Sequence, residues 1–498
     1  MARPHGSRPA RLQWASVAWG LLLCLGVVAG VPASVAQARP LPALEGKLQR
    51  CRVQGLDDTV LCGRFEVPED RSKPDGRRVS LNVVVLPATG DSASSDPLVF
   101  LAGGGVAPAT RYAGFLSRAF PALRRTRDIL LVDQRGTWNS GALPCDVGAT
   151  GDTAAAMAAL RRCRDSLATK ADLRFYTTPI AMDDLDAVRA WLGYTKLNLY
   201  GVSYGTKAAQ VYMRQHPDRV RAAVLYGVVP VSAPSQLDLA ASSQASLRLV
   251  FRACDEDSAC RAAFPRPAAE LDSVLARLEA APVRIAVDGS RTDNAVVNEE
   301  VTARAVRDLV QGMLGSARAI ERLPWIIHSA YTGDLKPIAQ AIFGELGPPP
   351  PPRGVFLCIL CSEAMPQVDA AAIAQATTGS FFGDFPVRWQ LRQCSEWPRG
   401  PLPKGFWQPV SADVPVLAIS GDLDPITPPR YGSSVARAMK NGMHVMVPNR
   451  SHNDVDPCIT GMFERFLIAG SAQGLDTSCA SLPRPLRFAT AAGAPPGR

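Results

Sequence analysis

Histidine is scarce in this sequence, with five residues among 498. No run of five or more Lys and Arg occurs, and no internal repeat is visible. Beyond the N-terminus no apolar stretch is long enough to span a bilayer. Without basic runs, a formal net charge of +9 is scattered charge, which argues against nucleic acid as a partner. Without a second apolar run, no stable membrane insertion is expected once an N-terminal segment is removed. The few histidines make elimination possible when a catalytic base is sought.

What is present begins with an export signal. Residues 1–38 carry Arg3, Arg8 and Arg11 and no acidic residue. They continue with the apolar run Val17 to Val28 and end on Ala36-Gln37-Ala38, the small-x-small pattern of signal cleavage. The expected location is periplasmic or extracellular. Cleavage leaves a chain of charge +6 (9 − 3).

Cysteine usage points the same way. Of 12 cysteines, Cys24 leaves with the signal, so an odd number remains. Cys51 and Cys62, Cys145 and Cys163, Cys254 and Cys260, and Cys458 and Cys479 are close in sequence, as disulfides of an oxidising compartment often are. Cys358, Cys361 and Cys394 form a trio with one thiol left over. The Cys358-x-x-Cys361 spacing lacks the second ligand pair that a structural zinc site needs. No metal and no organic cofactor is expected.

Apolar runs bounded by Gly or charge read as strands: Phe65 to Val67, Val79 to Leu86, Leu98 to Leu101, Ile129 to Val132, Leu197 to Tyr200, Ala222 to Tyr226, Val416 to Ser420 and His444 to Val447. Amphipathic helical stretches lie between them, such as Met182 to Leu192, which Gly193 is placed to end. This alternation predicts a mostly parallel, doubly wound α/β sheet. It breaks between about residues 236 and 410, a stretch rich in helix formers that also holds Pro348 to Pro352. The expected organisation is therefore a signal at 1–38 and a sheet core at 45–235. A mainly helical cap follows at 236–410, then the rest of the core at 411–488 and a disordered tail at 489–498.

The chemistry centres on Gly201-Val202-Ser203-Tyr204-Gly205, a G-x-S-x-G motif. A strand runs into it and a helix, Lys207 to Gln215, runs out, which is the context of a nucleophile elbow. Ser needs a base at neutral pH. His5 leaves with the signal, and His216 lies 13 residues along the same helix from Ser203, about 20 Å away at the helical rise. His328 falls in the cap and His444 inside a strand. His452 follows the last strand in the polar loop Asn449 to Asn453, at the carboxyl edge of the sheet, and is the candidate. An orienting carboxylate is expected in Gly421-Asp422-Leu423-Asp424-Pro425, giving the chain order Ser, Asp, His. Spacing alone does not separate Asp422 from Asp424. For the oxyanion, the backbone N–H of Tyr204 is one expected donor. The loop Gly103-Gly104-Gly105 supplies the other.

These residues resemble a known family. Asp183 to Pro230, Asp133-Gln134-Arg135-Gly136, Cys361-Ser362-Glu363 and Gly421 to Pro429 together look like the proline iminopeptidase and tripeptidyl aminopeptidase branch of the α/β-hydrolases. The resemblance implies the α/β-hydrolase fold and a serine peptidase with the second Asp, Asp424, as the acid. It implies Gly104 as the second oxyanion donor, a Cys361–Cys394 bond and Cys358 as the odd thiol. Related enzymes hold the substrate amine with cap glutamates, which makes Glu363 the candidate here. The sequence departs from the family at Gly105-Val106, at Trp138, and at Ser451 and Asn453 flanking His452. The expected function is an exported serine aminopeptidase acting on peptide substrates and releasing one to three residues. An esterase or lipase, or a non-catalytic binding protein on the same scaffold, are the alternatives.

Overall fold

The computed structural model describes residues 42–91, 93–145, 153–288, 296–343, 353–482 and 484–491. The expected signal, the five prolines and most of the expected tail lie outside them. Nine strands form one sheet: β1 (Gln49–Cys51), β2 (Val60–Pro68), β3 (Arg78–Leu86), β4 (Leu98–Leu101), β5 (Ile129–Val132), β6 (Leu197–Val202), β7 (Val220–Tyr226), β10 (Pro415–Gly421) and β11 (Asn441–Val447). Their spatial order is β1-β2-β3-β5-β4-β6-β7-β10-β11. The pairs from β1 to β5 are antiparallel. From β5 through β4, β6, β7 and β10 to β11 every pair is parallel.

The strands are apolar on both faces because helices cover both. Val99 and Leu199 point into one core with helix Thr178–Leu192 and helix Tyr204–Gln215. Phe100 and Tyr200 point the other way, onto Phe120 and Phe463. The chain leaves β4 for β5 on one side and returns to β6 on the other. The sheet therefore has a switch point at β4, and the loops beyond β4 and β6 face each other there. The register pairs Leu101 with Gly201, so the glycine turn and the elbow leave the sheet side by side.

The region between β7 and β10, where a cap is expected over 236–410, contributes to two cores. The helices from Ser235 to Phe343 surround a core of their own, including Leu247, Leu271, Val306 and Ile327. This part also carries an antiparallel pair, β8 (Val283–Asp288) and β9 (Val296–Val301), that a mainly helical reading missed. After Arg353 the chain turns back: Val355, Leu357, Cys361, Trp397 and Phe406 join the core of the main sheet, while Phe381 and Phe382 stay in the core of the insertion. Helical periodicity records that a face is buried but not which partner buries it, so the two halves read alike in sequence. Ala489, the expected start of a disordered tail, is instead 3% exposed and donates its N–H to Glu321 O at 2.9 Å. Leu486 and Phe488 just before it give that segment apolar anchors.

Among the described residues five disulfides are present: Cys51–Cys62, Cys145–Cys163, Cys254–Cys260, Cys361–Cys394 and Cys458–Cys479. Cys358 is free and buried, with Trp397 Nε1 donating to its Sγ at 3.4 Å. Among the described residues, no single helix is long and apolar enough to cross a membrane.

Candidate active site

Ser203 sits at the turn between β6 and helix Tyr204–Gln215 with φ 54° and ψ −121°. A side chain other than glycine rarely takes such a backbone, and it persists only when the surroundings impose it. The two flanking glycines show what imposes it. A Cβ on Gly201 would lie 2.4 Å from Gly205 O, and one on Gly205 would lie 1.8 Å from Leu101 O. The first helical turn is thus pressed onto the end of β4, with no room for side chains two residues either side of Ser203.

His452 approaches from the loop beyond β11. Its Nε2 is 3.0 Å from Ser203 Oγ and its Nδ1 is 2.8 Å from Asp424 Oδ2. Asp424 is buried at the end of β10, where Oδ1 accepts the N–H groups of Ile426 and Thr427 at 2.9 and 2.8 Å. Thr427 Oγ1 donates to Asp424 Oδ2 and lies 3.0 Å from His452 Nδ1. Gly227, at the end of β7, leaves room for the imidazole: a Cβ there would be 3.3 Å from His452 Cε1. The loop itself is pinned from below. Asp454 Oδ2 accepts Ser451 N–H at 2.8 Å, and Tyr226 Oη donates to Ser451 O at 3.1 Å. Burial pushes the His452 pKa down, but the charge of Asp424 and the hydrogen bond to it push it up further, so it lies above the ordinary histidine value.

Asp422, the competitor in sequence, is not in this chain of contacts. It faces the backbone of Asn449 and Arg450 instead, and burial raises its pKa. The structure therefore brings together Ser203, His452 and Asp424 and leaves Asp422 aside. The other histidines among the described residues are elsewhere. His216 pairs with Asp183 at 3.0 Å, His328 with Glu270 at 3.0 Å, and His444 with Ser420 at 3.1 Å.

The expected oxyanion elements are close to Ser203. A Cβ on Gly103 would be 3.3 Å from Ser203 Cβ, so this turn abuts the nucleophile position. Gly104 and Gly105 have φ of +71° and +70°, which favour glycine. Tyr204 opens the elbow helix, where N–H groups are free and the helix dipole favours negative charge. Trp138, one of the departures from the family, has φ +25° and carries Arg111 over its ring at 4.8 Å.

Glu363, the expected amine-binding residue, lies inside the protein. It is fully buried, 0% exposed, on the turn Leu360–Ala364. Oε1 accepts Thr178 N–H at 2.6 Å and Oε2 accepts the Thr178 hydroxyl at 2.8 Å. Both carboxylate oxygens are thus bonded to the first turn of the helix Thr178–Leu192. The match in Cys361-Ser362-Glu363 located a fixed glutamate correctly but said nothing of which way it faces. Sequence reasoning missed Thr427, Thr178, Gln134 and Lys207. Only Thr427 left a local signal: an Asp followed at the third position by Thr, in a turn containing Pro, caps its own backbone.

Comparison with known proteins agrees with the fold. The family model described as alpha/beta hydrolase fold matches residues 96–262, and the one described as TAP-like protein matches residues 380–479. Serine protease Hip1 of Mycobacterium tuberculosis is 24% identical over 94% of this chain and 97% of its own length. Tripeptidyl aminopeptidase of Streptomyces coelicolor is 24% identical over 86% of this chain and 85% of its own. Among solved structures, proline iminopeptidase of Mycobacterium smegmatis aligns with a TM-score of 0.37 and 16% identity, over 82% of this chain and 98% of that one. Sheet order, elbow and both family models lead to one assignment: the chain has the α/β-hydrolase fold and is a serine hydrolase.

Proposed function

We propose that the chain is an exported serine aminopeptidase that releases one to three residues from free peptide N-termini, with Ser203 as nucleophile. His452 Nε2 takes the hydroxyl proton as Ser203 Oγ bonds to the scissile carbonyl carbon. The carbonyl π electrons move to oxygen, which the backbone N–H groups of Tyr204 and Gly104 receive. Collapse breaks the C–N bond, and the leaving amine departs with the proton from His452. Water, deprotonated by the same imidazole, then frees the acyl group. Asp424 holds the ring in the tautomer with its proton on Nδ1 and stabilises the imidazolium.

The observation that carries this reading is the 3.0 Å approach of His452 Nε2 to Ser203 Oγ on a strained elbow, with Asp424 behind. The relatives named serine protease and tripeptidyl aminopeptidase favour peptides over esters as substrates. Five disulfides favour a periplasmic or extracellular location.

A digest of mixed peptides, free or N-acetylated, with products identified by mass, tests it. Fragments of one to three residues should come from free peptides only, and none from Ser203→Ala. Equal cleavage of acetylated peptides would remove the aminopeptidase reading. Turnover of esters alone would make the protein an esterase. A fluorophosphonate adduct on Ser203, absent from Ser203→Ala, fixes the nucleophile.

A further inference from the structure

We propose that Glu363 is a positioning residue for the oxyanion hole, fixing the Tyr204 hydroxyl through Thr178. The inference rests on the reading of Ser203 as nucleophile and Tyr204 N–H as oxyanion donor.

The contacts form a line. Thr178 Oγ1 is 2.8 Å from Glu363 Oε2 and 2.7 Å from Tyr204 Oη. Gln134 Nε2 is 3.1 Å from the same Tyr204 Oη. A carboxylate only accepts, so the Thr178 hydroxyl proton points to Glu363 and its lone pair faces Tyr204. Tyr204 then donates to Thr178 and accepts from Gln134. Every bond runs the same way and polarises the next, and the line ends on a charge.

Tyr204 packs against the core of the main sheet over only part of its surface. Its ring borders an internal cavity of about 30 Å³, also lined by Leu101, Val132, Met182 and Gly105. A ring with a void on one side depends on its hydroxyl for position. The opposite donor loop depends on the ring in turn. A Cβ on Gly105 would stand 3.6 Å from the Tyr204 ring carbons, and both residues line that cavity, so the glycine turn passes beside the ring. A shift of Tyr204 therefore moves both donors, its own N–H and those of the glycine turn.

The far end of the line is rigid. Glu363 lies on a π turn two residues after Cys361, which is bonded to Cys394, and its carbonyl accepts Trp407 Nε1 at 2.7 Å. Lys207, on the same helix as Tyr204, is buried too, and burial lowers its pKa while the charge of Glu363 raises it. Burial raises the Glu363 pKa, and Lys207 pulls it back. A glutamate kept as an acceptor at such a cost has more to hold than one helix end.

The test is a mutant cycle on the full chain: Glu363→Gln, Tyr204→Phe, Thr178→Val, Thr178→Ser and the Glu363→Gln/Tyr204→Phe double. The readouts are kcat and KM on a p-nitrophenyl ester, the rate of fluorophosphonate inactivation, and Tm. Oxyanion contacts act on the transition state, so Glu363→Gln, Tyr204→Phe and Thr178→Val should each lower kcat about tenfold, with KM changed less than about threefold. The double should be no worse than the worse single, because both cut one line. Thr178→Ser should keep kcat. Additive losses, or a lowered Tm with kcat intact, overturn the proposal. If Glu363→Gln does not fold, Thr178→Val with Tyr204→Phe supplies the same cycle. If Ser203→Ala still reacts with the fluorophosphonate, the nucleophile reading fails. If Ser203→Ala is silent and the cycle is additive, only the role of Glu363 falls.

Discussion

His452 Nδ1 lies 2.8 Å from Asp424 Oδ2, and both side chains are buried. Two residues away, Asp422 is turned to the backbone of Asn449 and Arg450. Asp424→Asn should therefore lower kcat by a factor on the order of 10⁴, the loss expected when the imidazole takes the wrong tautomer. Asp422→Asn should cost far less activity. Steady-state kinetics of the two variants on one substrate decide it, and a reversed order would move the acid role to Asp422.

The raised pKa of His452 sets the pH dependence. Only the neutral imidazole accepts the serine proton, so kcat/KM should rise with pH through a value above the ordinary histidine pKa of about 6.5. Stability runs the other way. A proton held more tightly in the folded state stabilises it fully below about pH 6.5, and that contribution is lost as pH rises through the higher folded value. The Tm advantage of the protein over His452→Ala should shrink from acid to alkaline pH. An advantage that grows with pH would mean that burial, not Asp424, governs the ring.

Much of this was legible in sequence where the signal is local. All eight expected strands are present, because a strand buried on both faces is a short apolar run whatever its neighbours. The elbow was legible because Gly201 and Gly205 answer to contacts with the ends of β4 and β6 themselves. What escaped depends on distant partners. Glu363 and Thr178 are 185 positions apart, and nothing near either residue announces the other. The division of the region after β7 escaped for the same reason: Val355 and Val306 are equally apolar, yet one faces the main sheet and the other does not.

The elbow permits a steric prediction. A Cβ at Gly205 would meet Leu101 O at 1.8 Å, and both atoms are backbone-bound, so neither can swing aside. Gly205→Ala should lower kcat by at least about a hundredfold even where the chain still folds, because the helix start and the glycine turn must part. Gly193→Ala is the control: its φ is +81° but a Cβ there meets nothing within 4 Å. It should cost only about 1 kcal/mol of strain, read in denaturant unfolding, and leave kcat unchanged. Equal activity in the two variants would show that the elbow tolerates the displacement.

Thiol chemistry gives a separate check. Burial pushes Cys358 up to about 12, so it carries almost no thiolate at neutral pH. The folded protein freed of residues 1–38 should not react with a thiol reagent. Unfolded without reductant, it should show one thiol per chain, at Cys358. A fast-reacting native thiol, or a free Cys361 or Cys394, would contradict the pairing.

The last prediction concerns the C-terminal segment, which crosses from the His452 loop to the helical insertion. Its root is held by Cys458–Cys479 and by Arg484, which pairs with Asp456 and whose carbonyl accepts Asn449 Nδ2 at 2.9 Å. Asp456 also pairs with Arg450 at 3.2 Å, two residues before His452. Beyond this root, Leu486 and Phe488 enter the core of the insertion. The N–H groups of Arg487 and Ala489 bond to Glu321 at 2.8 and 2.9 Å. The segment thus fastens the base-bearing loop to the region above it. Leu486→Ala should cost about 2–3 kcal/mol, as a buried leucine, and Phe488→Ala somewhat less, because it is half exposed. If the strap also steadies His452, the double variant should lose kcat at temperatures well below its Tm, while the disulfides stay intact. Unfolding curves and kinetics on the same preparations read both effects. A lowered Tm with unchanged kcat would make the segment a clasp for the insertion alone, with the His452 loop held by Asp454 and Tyr226 instead.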